Sequence, residues 1–220
     1  MNKIKTIGLL GTGVIGAGWA ARALHTGINV VASDIDPKME DWINEAVENA
    51  LPSLQSLTEG ITLPPKGKLT FTTDPIFMSQ QVDFIQENAV ENYKIKTQLM
   101  KEIGKYTKPN TIISSSSSGL LPSRIYSKCK NPARAMIGHP FNPVYMCPGV
   151  EIVPGKKTKK KFLNKANKFY KSISMNPIMV KKELPGYLAD RLQEALWREA
   201  LHIVNEGYAS TKDLDRAIED

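Results

Sequence analysis

The chain has 220 residues, 41% hydrophobic and 23% charged, with a formal net charge of +7. This is the composition of a globular chain long enough for one large domain or one and a half, and no run reaches the roughly 18 apolar residues of a membrane span. Two cysteines, Cys129 and Cys147, make neither a disulfide framework nor a metal motif, so a reducing, cytoplasmic setting without a bound metal is expected.

Residues 1–23 superficially resemble a secretory leader, with Lys3 and Lys5 ahead of an apolar stretch, but several glycines and Trp19 interrupt it. A better reading is a buried strand over 4–10, a turn Gly11-Thr12-Gly13-Val14-Ile15-Gly16, and a helix through position 24. In such a G-x-G-x-x-G turn the first glycine permits the tight bend, the second lets backbone approach a pyrophosphate, and the third lets helix and strand pack closely. A second strand over 28–32 leads to Asp34, placed to bind adenosine ribose hydroxyls, with Asp36 as the neighbouring alternative. An acid there with no arginine after it favours NAD over NADP. His25, near the helix end, complements the helix dipole.

A helix over 37–57 follows, with Trp42, Ile43, Val47 and Ala50 at helical spacing and Trp42 read as core. A strand over 68–72 precedes Asp74-Pro75, a helix cap. A strand over 82–86 ends in Glu87-Asn88-Ala89-Val90-Glu91-Asn92, and strand ends beside the glycine turn line the crevice of doubly wound sheets. Glu91 and Lys96 therefore qualify as site candidates, or else form a solvent ion pair on a helix over 92–105. A strand over 111–114 delivers serines 115–118, ligand donors or a flexible loop.

The stretch over 133–137 is the strand that delivers His139, one of three histidines. His139 and Asn142 each precede a proline, so both are held extended or in a turn. Glu151, twelve residues after His139, lies in the apolar run 150–153, where a strand could lay its carboxylate against the imidazole. Such a pair sets the ring tautomer and raises basicity at the other nitrogen; the alternative is an unrelated loop histidine and strand-end glutamate. The lysine run Lys156, Lys157, Lys159, Lys160 and Lys161 lacks interleaved arginines and aromatics, so it reads as a solvated helix start and no nucleic-acid partner is expected. Strands over 151–153 and 178–180 flank that helix, 158–173. Alternating elements of this kind predict an α/β, doubly wound, mostly parallel sheet over 1–183. After Leu184-Pro185-Gly186 only helices follow, the beginning of an all-α part over 184–220 too short to bury its own core.

Together these pieces resemble the 3-hydroxyacyl-CoA dehydrogenase superfamily of NAD-dependent hydroxyacid dehydrogenases. The resemblance is carried by G-T-G-V-I-G at 11–16, E-N-A-V-E-N at 87–92, S-S-S-S-S-G-L at 114–120, G-H-P-F-N-P at 138–143, V-E-I-V at 150–153 and P-G-Y at 185–187. The stretch over 189–207, with G-H-P-F-N-P-V-Y, is most similar to the carnitine-oxidising branch. The resemblance implies NAD as cofactor, His139 as catalytic base, Glu151 as its partner and Ser118 as hydrogen-bond donor to the substrate oxygen. It implies Glu91, Lys96 and Asn142 beside the cofactor, with Asn142 also near the substrate. Asp190 stands where acyl-CoA members have asparagine, and its charge suits a cationic small hydroxyacid. The short interval from Asp34 to Glu91, with its Leu63-Pro64-Pro65 loop, lacks the arm that holds CoA in those members. Phe141, Tyr145, Tyr187 and Trp197 are aromatic candidates for a trimethylammonium group, or packing residues. Family members continue past position 220 into a helical region that forms a homodimer, so this chain is expected to carry only its start, either as a fragment or as a naturally short protein. The alternatives are a 3-hydroxyacyl-CoA or sugar-acid substrate, or a non-catalytic NAD-binding role like that of the superfamily's lens crystallin.

Overall fold

The computed structural model describes residues 3–219, so positions 1, 2 and 220 of the two predicted parts lie outside the described residues. The central strand is β1 (Thr6–Leu10), whose apolar side chains are buried on both faces, as a strand covered by helices on each side requires. It pairs in parallel with β2 (Asn29–Ser33) and, on its other edge, with β4 (Phe84–Glu87). Beyond β2 lies β3 (Leu69–Thr72); beyond β4 come β5 (Ile112–Ser115), β6 (Ala135–Pro140), β7 (Gly149–Pro154) and β8 (Asn176–Met179), giving the order β3-β2-β1-β4-β5-β6-β7-β8. The β6–β7 pair is antiparallel and the other pairs are parallel. Chain order reverses between β1 and β4, and it is outside the carboxyl ends of strands at such a reversal that α/β sheets bind ligands.

The side-chain period of two sorts these strands onto two cores. Ile7, Leu9, Phe84, Ile112, Met136 and Ile152 face α1 (Val14–His25), α2 (Met39–Leu57) and α6 (Lys160–Ser172). Leu10, Ile85, Ile113, Ile137 and Val153 face the side of α3 (Pro75–Gln81), α4 (Tyr93–Tyr106) and the short α5 (Pro122–Ile125). Asp74 caps α3 as expected, its Oδ1 accepting from the amides of Ile76 and Phe77. Asn92 does the same for α4 through Lys94 and Ile95.

Two expectations change. The strand carrying His139 does not stop at position 137 but runs to Pro140, because its pairing with β7 continues through Pro140↔Val150. Trp42 is not core: it is 41% exposed, and its indole donates to the Thr12 carbonyl at 3.0 Å, while Ile43, Val47, Ala50 and Leu54 supply the buried side of α2. The helices α7 (Ala189–Asn205) and α8 (Thr211–Glu219) bury no side chain among the described residues, and Leu192, on α7, is 72% exposed. No helix among the described residues is long and apolar enough to cross a membrane.

Candidate active site

The glycine turn shows a separate reason for each glycine. Gly11 has φ +91°, a left-handed conformation that favours glycine, and a Cβ there would lie 2.9 Å from the Asn88 carbonyl. A Cβ on Gly16 would lie 2.2 Å from the Gly11 oxygen, so α1 could not pack this close to β1. Gly13 faces open space, with no heavy atom within 4 Å of such a Cβ. It caps α1 without a side-chain hydrogen bond, leaving first-turn amides and the positive end of the helix dipole for an anion. Thr12 and Asp34 hold the turn to the end of β2: Thr12 N and Oγ1 donate to Asp34 Oδ2 at 2.8 and 3.0 Å. Val14 and Ile35 lie exposed beside the turn. These features fit a dinucleotide whose pyrophosphate meets the turn and whose ribose meets Asp34.

On β6 and β7, His139 and Glu151 are direct partners in the antiparallel register, so both side chains leave the same face. His139 Nδ1 donates to Glu151 Oε2 at 2.8 Å. The carboxylate thereby places the ring hydrogen on Nδ1 and leaves Nε2 as the acceptor. Glu151 is fully buried, and its other oxygen accepts from the amides of Leu188 (2.8 Å) and Ala189 (3.1 Å) at the start of α7. Burial alone would raise the Glu151 pKa; the hydrogen bonds from His139, Leu188 and Ala189, with the His139 charge, outweigh it and hold the group below the ordinary carboxyl value. Nε2 of His139 lies 3.9 Å from Asp190 Oδ1. Burial, then the charges of Glu151 and Glu91, push the Asp190 carboxyl up, with His139 opposing. The Tyr187 ring centroid is 5.6 Å from that of His139, and Phe141 is 6.1 Å away on another side.

At the ends of β4 and β5 a second charged group sits on this face. Lys96, 1% exposed, donates to Glu87 Oε1 at 2.7 Å and to the Ala89 carbonyl at 2.9 Å, and lies 3.4 Å from Glu91 Oε2. The solvent ion pair considered for Lys96 is thus a buried one. Burial raises the Glu87 pKa, opposed by Lys96, the Ser115 hydroxyl and the Ala89 amide. Glu91 Oε1 accepts from Ser117 Oγ and from the amides of Ser118 (3.2 Å) and Gly119 (3.4 Å), fixing the serine loop. Ser118 and Asn142 are exposed. Tyr145 does not join the imidazole: it packs against the α1-side core and its carbonyl accepts from Arg22 Nη2 at 3.0 Å. Trp197 is 60% exposed on α7. Sequence reasoning passed over Glu87 as a site residue; the signal was a carboxyl at the end of an otherwise apolar, buried strand.

A glycine turn at the reversal of a parallel sheet, with an acid at the end of the next strand, is the architecture of NAD-dependent dehydrogenases. The chain belongs to the 3-hydroxyacyl-CoA dehydrogenase family: residues 6–184 match its NAD binding domain and residues 186–220 its C-terminal domain. It is 46% identical over 220 residues to the L-carnitine dehydrogenase of Pseudomonas putida, covering 99% of this chain and 68% of that one. It is 44% identical over 219 residues to the L-carnitine dehydrogenase of Bacillus cereus, covering 99% and 66%. The chain thus spans about two thirds of the length of these relatives. Among solved structures, an NAD+-dependent 5-formyl-3-hydroxy-2-methylpyridine 4-carboxylic acid 5-dehydrogenase superposes with TM-score 0.90 at 31% identity, over 98% of this chain and 70% of that one. The (S)-3-hydroxybutyryl-CoA dehydrogenase of Ralstonia eutropha superposes at 0.85 with 27% identity, over 96% and 75%. The cofactor of this chain is NAD.

Proposed function

We propose that this chain takes part in NAD-dependent oxidation of L-carnitine at its 3-hydroxyl. The observation that carries the reading is His139, held by Glu151 at 2.8 Å through Nδ1 while Nε2 points toward a second carboxylate, Asp190, 3.9 Å away. Nε2 takes the hydroxyl proton, and Glu151, kept ionised by its three donors, stabilises the imidazolium that results. Ser118 and Asn142 polarise the forming carbonyl oxygen. Asp190 places negative charge beside the reacting hydroxyl, one carbon from which L-carnitine carries its trimethylammonium, and Phe141 and Tyr187 add aromatic surface. NAD, when bound, accepts the hydride; Gly11, Thr12, Gly13, Val14, Ile15, Gly16 and Asp34 would hold it, with Glu91, Lys96 and Asn142 nearby.

The division into residues 1–183 and 184–220, a cytoplasmic setting, and a homodimer paired through the exposed apolar residues of α7 and α8 belong to the same reading. Sedimentation tests the dimer. The test of the activity is NADH formation with L-carnitine against a 3-hydroxyacyl-CoA. Preference for L-carnitine is the expected result, and preference for the thioester overturns it.

A further inference from the structure

The sheet face opposite His139 carries a second polar cluster, neutral throughout, that the proposed chemistry does not use. Tyr170 Oη donates to Gln86 Oε1 at 2.7 Å and pairs with Ser114 Oγ at 2.9 Å. Gln86 Nε2 donates to the Gly138 carbonyl at 2.9 Å and to Ser116 Oγ at 2.7 Å. Ser116 accepts also from Trp19 Nε1 at 3.0 Å and donates to Asn88 Oδ1 at 2.7 Å. Asn88 Nδ2 donates to the carbonyls of Gly11, at 3.2 Å, and Gln86, at 3.1 Å. Ser116 thus has both lone pairs and its one hydrogen in use, which fixes the direction of its own three links.

The ends of this chain are what matter. One is the carbonyl of Gly138, the residue before His139; the other is the carbonyl of Gly11, which opens the dinucleotide turn. Both ends need glycine. A Cβ on Gly138 would lie 1.9 Å from the Tyr170 hydroxyl and 2.5 Å from Ser114 Oγ, and one on Gly11 would meet Asn88. Gln86, Ser114, Tyr170 and Trp19 are fully buried, so water does not replace a link broken among them, whereas Ser116 and Asn88 are half-buried.

We propose that Gln86 and Ser116 are positioning residues: with Asn88 they form a relay that sets the spacing between the His139 strand and the glycine turn. The proposal rests on the reading of His139 as the base. Ser116→Ala tests it in the whole chain. It should lower kcat about tenfold with the KM for the hydroxyacid within about twofold, because only the relation of base to turn is disturbed. It should also raise the NADH dissociation constant about fivefold, measured by fluorescence titration. Adding Asn88→Ala should cost little more, since both break one chain. Tyr170→Phe keeps the ring, removes the hydroxyl that holds the Gln86 amide, and should move NADH affinity in the same direction by a smaller factor. Unchanged NADH affinity in both Ser116→Ala and Tyr170→Phe, or single effects that simply multiply in the double variant, overturns the relay. A wild-type chain that binds NADH without oxidising any hydroxyacid counts against the proposed function instead, and the NADH titrations still decide the relay.

Discussion

The two faces of the sheet, at the carboxyl ends of the same strands, solve different problems. On one face stand the titratable groups His139, Glu151, Asp190, Glu87, Lys96 and Glu91. On the other, Gln86, Ser114, Ser116, Asn88 and Tyr170 hold the backbone with neutral hydrogen bonds. Adjacent positions in one strand divide between them: Gln86 belongs to the neutral side and Glu87 to the charged one. The lesson is that the charged groups and the neutral supports are separated by a single residue of strand.

The sharpest way to break the contrast is His139→Ala. Turnover should fall by about 10²–10⁴-fold while NADH binding persists, read by steady-state assay beside fluorescence titration. Joint loss of both would mean that His139 supports the fold as well. Next is Lys96→Met, which leaves Glu87 buried without its counter-charge and should destabilise by about 3–5 kcal/mol in urea unfolding. A cost under about 1 kcal/mol would class the pair with exposed ion pairs. Asp190→Asn should reduce kcat/KM for L-carnitine about tenfold relative to an uncharged analogue of the same shape; an unaltered ratio removes Asp190 from substrate selection. The smallest effect concerns acid. The folded Glu151 pKa lies below its unfolded value, so its ionised form stabilises the fold above the unfolded value, and this is lost as pH falls through the folded one. The stability advantage of wild type over Glu151→Gln should therefore shrink on acidification, whereas the difference between wild type and Ser116→Ala should stay level across the same pH range.

Much of this was legible in the sequence where the signal is local. The turn over 11–16 follows from glycine sterics, and Asp34 from its place after the turn at the end of the second strand. The His139–Glu151 pair was suggested by spacing and two prolines, although the antiparallel turn of β7 that makes them direct partners is a long-range choice no local pattern records. Lys96 could not be seen as buried, because Glu87 and the Ala89 carbonyl reach it only after β4 and α4 have packed. Trp42 keeps the apolar spacing of α2 yet rotates toward the turn, a difference of one helical position at the edge of the buried stripe. The neutral relay did leave a trace in Gln86 and Ser114, polar residues inside apolar strands, but their partners Tyr170 and Gly138 are far along the chain.

Glu151 has two loads. One oxygen steadies the imidazole and the other is moored to the first amides of α7. α7 buries no side chain among the described residues, and its 17 residues run about 25 Å from that carboxylate. A single side chain therefore joins the imidazole to the start of the C-terminal helices.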